Sequence, residues 1–170
     1  MSKKIVFIIA QHDFRDEEFL NSRAILESRG IESSIASKTR DNTVGRLGTV
    51  MAPDLAVAEV EPKYFDGLVV IGGPGVVSYF EDDEVLDVIR QFKKESKLIG
   101  ASSLASSVLA AAGVLIGKTV TGLPEEEEYL RNKGGDYTGM PVEVDDNIIT
   151  AKYPDDAKKF GEALAYYLEA

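Results

Sequence analysis

Lys97-Leu98-Ile99-Gly100-Ala101-Ser102-Ser103-Leu104-Ala105-Ser106-Ser107-Val108-Leu109-Ala110-Ala111-Ala112-Gly113 decides the fold class. An apolar run enters a group of small residues and leaves as an alanine-rich helix, the composition of a strand-to-helix elbow. Ala101 and Ala105 stand two residues before and two after Ser103. A sharp elbow needs small groups there, because larger ones collide as the backbone turns and pushes the middle side chain out. Several enzyme classes present a nucleophile on such a turn. Here the residue is a serine, in a chain with no cysteine and a single histidine.

Strands and helices alternate on both sides of this elbow. Ile5 to Ile9 is a continuous apolar run, as expected of a strand buried on both faces of a parallel sheet. A helix is predicted from Asp16 to Ser28, ending at Gly30, then a short strand over Ser33 to Ala36. Thr39 to Gly48 reads as a turn or hairpin loop. Gly67 to Ile71 is a second buried strand, terminated by Gly72-Gly73-Pro74-Gly75. Val85, Ile89 and Phe92, flanked by Leu86 and Val88, give a helical stripe between Asp83 and Glu95. Beyond the elbow, Thr119 to Thr121 is a short strand. Glu125 to Glu128 fall in the first turn of a helix, with Arg131 and Lys133 at its other end, an arrangement that complements the macrodipole rather than a metal site. Val142 to Val144 and Ile148 to Thr150 form a hairpin, and a last helix covers Asp156 to Leu168. This order predicts one α/β domain, a three-layer sandwich around a mainly parallel sheet.

Composition narrows the partners. With 19 basic and 29 acidic residues the formal net charge is −10, a surface that repels phosphate backbones, so nucleic acid is not expected. The absence of cysteine removes disulfides, thiolate metal sites and thiol nucleophiles. No apolar run approaches the ~20 residues of a membrane helix. Ile5 to Ala10 lacks a small-residue cleavage site and leads straight into His12, Asp13 and Arg15, so it is a first strand rather than a signal peptide. A cytoplasmic location is expected, with no cofactor and no metal.

In an open parallel sheet, ligands bind beyond the carboxyl ends of the strands. Three features fall on that edge: the segment Gln11 to Phe14 with Glu18 beyond it, the loop Gly72 to Gly75, and Ser103. Each has an ordinary explanation as well. Glu18 sits in an early helical turn, where acids are common. Gly72-Gly73 can be a simple tight turn, and Ser103 a helix N-cap.

Taken together, the ordered set resembles the ThiJ/PfpI superfamily, which includes intracellular protease I and the parkinsonism-associated deglycase. The resemblance rests on Phe14-Arg15-Asp16-Glu17-Glu18, Tyr64 to Gly73, Leu109 to Leu115, Gly134-Gly135-Asp136-Tyr137 and Thr150 to Asp156. It implies a flavodoxin-like fold related to class I glutamine amidotransferases and a homo-oligomer, dimer or larger. Ser103 would stand at the family's nucleophilic cysteine and Glu18 at the glutamate that bonds it. The elbow departs from the family's usual Ala-Ile-Cys-His-Gly-Pro or Ala-Ile-Cys-Ala-Gly-Pro: Leu104 stands at the histidine of the protease-like branch and Ser106 at the proline, and Leu123 stands where the family often has a histidine or tyrosine before a proline. So many concurrent changes point to divergence.

Family cysteines act because a thiolate forms readily at a helix start, whereas a serine hydroxyl needs a general base. Leu104 and Leu123 cannot serve, which leaves Glu18 and His12. The expectation is a non-catalytic protein that binds a small molecule or partner in the former active-site pocket, with His12, Arg15 and Leu123 among its lining residues. The alternative is a serine-dependent hydrolase or lyase using Ser103 and Glu18, with backbone around Gly72, Gly73 and Leu104 as the oxyanion and substrate-binding elements. A nucleotide binder using Gly72 to Gly75 is the third possibility.

Overall fold

The computed structural model describes all 170 residues. The chain runs β1 (Lys4–Ile8), β2 (His12–Phe14), α1 (Asp16–Ser28), β3 (Glu32–Ser37), β4 (Thr43–Gly45), β5 (Val50–Met51), β6 (Leu55–Ala56) and β7 (Gly67–Val70). It continues through α2 (Asp83–Lys94), β8 (Leu98–Ser102), α3 (Ala105–Ala111), β9 (Thr119–Val120), α4 (Glu127–Asn132) and β10 (Asp136–Tyr137). The hairpin β11 (Val142–Asp145) and β12 (Ile148–Ala151) precedes the last helix, α5 (Ala157–Glu169).

Seven strands make the central sheet, in the order β11-β12-β8-β7-β1-β3-β6, with β11 as its antiparallel edge. Ile5 to Ile9 and Leu68 to Ile71 are fully buried, because both faces of the inner strands are covered. Helices α1 and α5 pack together on one face, and α2 and α3 pack together on the other. Gly100 in β8 lets α5 approach closely: a Cβ there would lie 3.0 Å from Leu164 Cδ2 and 3.2 Å from Phe160 Cζ. Helix α2 buries Val85, Leu86, Val88, Ile89 and Phe92, and the Asp82 carboxylate caps it by accepting from the Glu84 and Val85 amides. The result is the three-layer, flavodoxin-like α/β sandwich. No helix is long and apolar enough to cross a membrane.

Two segments differ from expectation. Thr39 to Gly48 does open the expected hairpin, β4 antiparallel to β5, but β4 also pairs in parallel with β2, so the hairpin belongs to a three-stranded sheet separate from the central one. Strands of two or three residues carry no readable periodicity, which is why the pattern misses them. Of the four acids at 125–128, only Glu127 and Glu128 lie in an α-helical turn; Pro124–Glu126 is a 3₁₀ turn, set by the proline that opens it.

Strand order positions the site. From β1 the chain moves outward to β3 and β6, then crosses back to β7 and proceeds the opposite way through β8 to β12. The connections therefore diverge between β1 and β7, and a crevice opens at the carboxyl ends of these strands.

Candidate functional site

The elbow after β8 holds Ser103 at φ +47°, a left-handed conformation that side-chain-bearing residues rarely adopt. The turn is fixed at both ends: the Ser103 amide donates to the Ala151 carbonyl at 2.8 Å, and its own carbonyl accepts from the Ser106 amide at 3.2 Å. Ala101 and Ala105 are fully buried beside it, so larger groups would have no room. Ser103 does not cap α3: Leu104 occupies the N-cap position, and no side chain bonds the free amides there.

The Ser103 hydroxyl turns instead to Glu18, with Oγ 2.7 Å from one carboxylate oxygen and 3.0 Å from the other. Glu18 comes from the first turn of α1 and is completely buried. Burial raises its pKa above the ordinary carboxylate value, against the Ser102 and Ser103 hydroxyls and the Arg15 guanidinium, which favour the charged form. A charged Glu18 accepts the Ser103 proton in a hydrogen bond; a protonated Glu18 donates in return. Either way the two groups satisfy each other.

The glycine loop closes the site from the β7 side. The Gly72 amide donates to Ser102 Oγ at 3.2 Å, so it is committed to the fold rather than free for a ligand. A Cβ at Gly72 would run into Ser103 Oγ and Glu18 Oε1. Gly73, at φ +109°, passes so close to the β2–α1 junction that a Cβ would meet the Arg15 amide and the Asp13 carbonyl at 2.6 Å. These glycines serve close approach between two loops. The amides of Gly73 and Leu104 donate to no protein acceptor, which leaves two main-chain donors beside Ser103. Helix α3 brings one unsatisfied group as well: Ser106 Oγ is buried without a partner.

Ser103, Glu18, Gly73, Leu104, Arg15 and Leu123 line one cleft of about 460 Å³, completed by Pro74, Val77, Pro154 and Arg46. Gly72 lies behind the floor. His12 is the exception and corrects the expectation of a shared pocket: it lines a separate cleft of about 470 Å³ with Lys38, Asp41, Gly75, Ser78 and Tyr79. The cause is the pleat and bulge of β2. Phe14 is buried edge-on against Phe19, at 5.9 Å between ring centroids, and Asp13 turns at φ +57°, so His12 faces outward on the other side. The 3₁₀ segment Pro74–Tyr79 stands between the clefts. With a period of three, Pro74 and Val77 face Ser103 while Gly75 and Ser78 face His12. The segment is tied down by Tyr79, whose hydroxyl donates to the Ile9 carbonyl at 2.8 Å and accepts from the Lys38 amide at 3.1 Å.

Sequence reasoning missed Asp16 and Arg46. Asp16 looks like another acid in a first helical turn, but its carboxylate accepts from the Leu47 amide at 2.8 Å and the Thr49 amide at 2.9 Å. Burial pushes its pKa up, yet those amide bonds win and hold it below the ordinary value. Asp16 thereby fixes the β4–β5 turn over the cleft, and Arg46 rides on that turn. The run Gly45-Arg46-Leu47-Gly48, a turn read without an assigned partner, was the available signal.

Known proteins can now be set beside this geometry. An uncharacterized protein of Methanocaldococcus jannaschii is 37% identical over 161 residues, covering 93% of this chain and 78% of its own. A deglycase of Pyrococcus abyssi is 29% identical over 151 residues, covering 89% of this chain and 91% of its own. The crystal structure of a ThiJ/PfpI domain protein from Brachyspira murdochii superposes with a TM-score of 0.96 at 27% identity, over 99% of this chain and 97% of that one. The family profile described as DJ-1/PfpI matches residues 3–166, from the first strand of the sheet into its last helix. The chain thus belongs to the DJ-1/PfpI family, as a member without cysteine.

Proposed function

We propose that this chain is a non-catalytic member of its family that binds a small molecule in the cleft over Ser103. One observation carries the reading: the Ser103 hydroxyl lies 2.7 and 3.0 Å from the two Glu18 oxygens, while the only imidazole lines another cleft. An alcohol becomes a useful nucleophile when a base takes its proton during attack. Glu18 is the one ionisable partner of Ser103, and its other neighbours, the Ser102 hydroxyl and the Arg15 guanidinium, favour its charged form but are not bases that pass a proton on to a leaving group. Leu104 and Leu123, where the resemblance would place histidine or tyrosine, replace proton carriers with apolar wall.

The experiment pairs two assays. In this reading a fluorophosphonate probe leaves Ser103 unlabelled, and wild-type protein consumes methylglyoxal no faster than buffer. Turnover that appears only in Ser103→Cys identifies a retained scaffold lacking its nucleophile. Wild-type turnover at the rate of thiol-bearing relatives sinks the proposal.

The second reading, a serine hydrolase or lyase, is favoured by one specific feature. The Gly73 and Leu104 amides are uncommitted beside an oxygen whose carboxylate partner has a raised pKa. Probe labelling that disappears in Ser103→Ala would establish it. In either reading the protein works in the cytoplasm as a homo-oligomer. The acid excess argues against nucleic acid as a partner, and light scattering on purified protein tests the assembly.

A further inference from the structure

Arg46 is the one arginine of the chain without a carboxylate partner. Arg15, Arg23, Arg29, Arg40, Arg90 and Arg131 each pair with one. In a chain with net charge −10, an unpaired guanidinium stands out, and this one lines the cleft over Ser103. Its position is built. The Arg46 amide donates to the Phe14 carbonyl at 2.9 Å, and the next turn hangs from Asp16 through the Leu47 and Thr49 amides at 2.8 and 2.9 Å. Gly45 is pressed so closely on the Asp16 carboxyl that no side chain fits there. Arg15 reaches the same cleft from the adjoining β2–α1 junction, one residue beyond the Phe14 carbonyl that the Arg46 amide meets, with its own amide bonded to the Gly72 carbonyl at 2.9 Å and its guanidinium paired with Glu17. The same cleft carries an apolar wall of Leu104, Leu123, Val77 and Pro74.

We propose that the ligand is a small amphipathic carboxylate, its charged end held by Arg46 and Arg15 and its apolar body laid against Leu104, Leu123 and Val77. This rests on the binding reading above and names its ligand class. A planar guanidinium matches a planar carboxylate through two parallel hydrogen bonds. A charged Glu18 on the floor would turn an anion away from Ser103 and toward the arginine rim.

The test uses 4-methylpentanoate and its uncharged amide, 4-methylpentanamide, as probes on the full chain. Binding is followed by calorimetry and by the NMR signals of Leu104 and Leu123. The acid is expected to bind at least about tenfold more tightly than the amide. Added salt should narrow that gap, and Arg46→Gln should remove it. Arg46 is exposed, so the variant should fold, and its circular dichroism and melting temperature confirm that it has. Equal binding of acid and amide overturns the carboxylate class while leaving a binding pocket intact. A preference that survives Arg46→Gln also overturns the proposal. Shifts from neither probe overturn it as well. Failure of the non-catalytic reading would show separately, as fluorophosphonate labelling of Ser103.

Discussion

The clefts on either side of Pro74–Tyr79 are nearly equal in size, about 460 Å³ over Ser103 and about 470 Å³ around His12, yet their chemistry is opposite. One has a buried hydroxyl, a buried carboxylate and two arginines. The other has the only imidazole, set among acids and a lysine. A nucleophile and a base on the same loop edge do not make a catalytic pair when a 3₁₀ segment separates them. What matters for catalysis is which side of the loop each side chain takes, and cleft volume carries no information about that.

Moving an imidazole across the divide is the strongest way to break this contrast. Leu104→His places a base in the Ser103 cleft and should raise hydrolysis of p-nitrophenyl acetate on the order of 10²-fold, a typical general-base effect. His12→Ala should leave the background rate unchanged; a loss would show that the two clefts communicate. Removing the wall's fit comes next. Gly73→Ala combines a positive φ with backbone contacts at 2.6 Å, so it should destabilise the fold by about 2–3 kcal/mol and lower the melting temperature by roughly 4–12 °C. Asp16→Asn replaces a charged acceptor of two amides and should cost about 1.5–3 kcal/mol in denaturant unfolding, with the Arg46 turn released.

The two buried carboxylates of α1 also shift in opposite directions, which pH can expose. The Asp16 pKa is depressed in the folded protein, so its contribution is complete above its unfolded value and is lost as pH falls through the folded one. The Glu18 pKa is raised, so its contribution is complete below the unfolded value and is lost as pH rises through the folded one. Glu18→Gln should therefore flatten the decline in stability between the unfolded and folded Glu18 values, while Asp16→Asn flattens the acid limb. Denaturation curves across pH measure both. Smallest is Ser106→Ala, which removes a buried hydroxyl that has no partner and should stabilise by about 1 kcal/mol; a clear loss of stability would mean that the hydroxyl is satisfied in solution.

Much of the fold was legible because its signals are local. The unbroken apolar runs at Ile5 to Ile9 and Gly67 to Ile71 mark strands covered on both faces. The stripe from Val85 to Phe92 marks a one-sided helix, and small residues around Ser103 mark a turn that tolerates nothing larger. From strand ends alone, Glu18, Gly73 and Ser103 could be placed on one edge, and the structure brings them into one cleft. The sequence by itself determined these elements, their order and the edge on which they converge, because each depends on neighbours a few residues away. Only the tertiary structure decided that His12 faces away, that Asp16 holds a distant turn and that Arg46 stands unpaired over the cleft. Those outcomes depend on a bulge in β2, on strands too short to show a period and on hydrogen bonds between residues some thirty positions apart. No local pattern records such contacts, since they form only when separate parts of the chain come together.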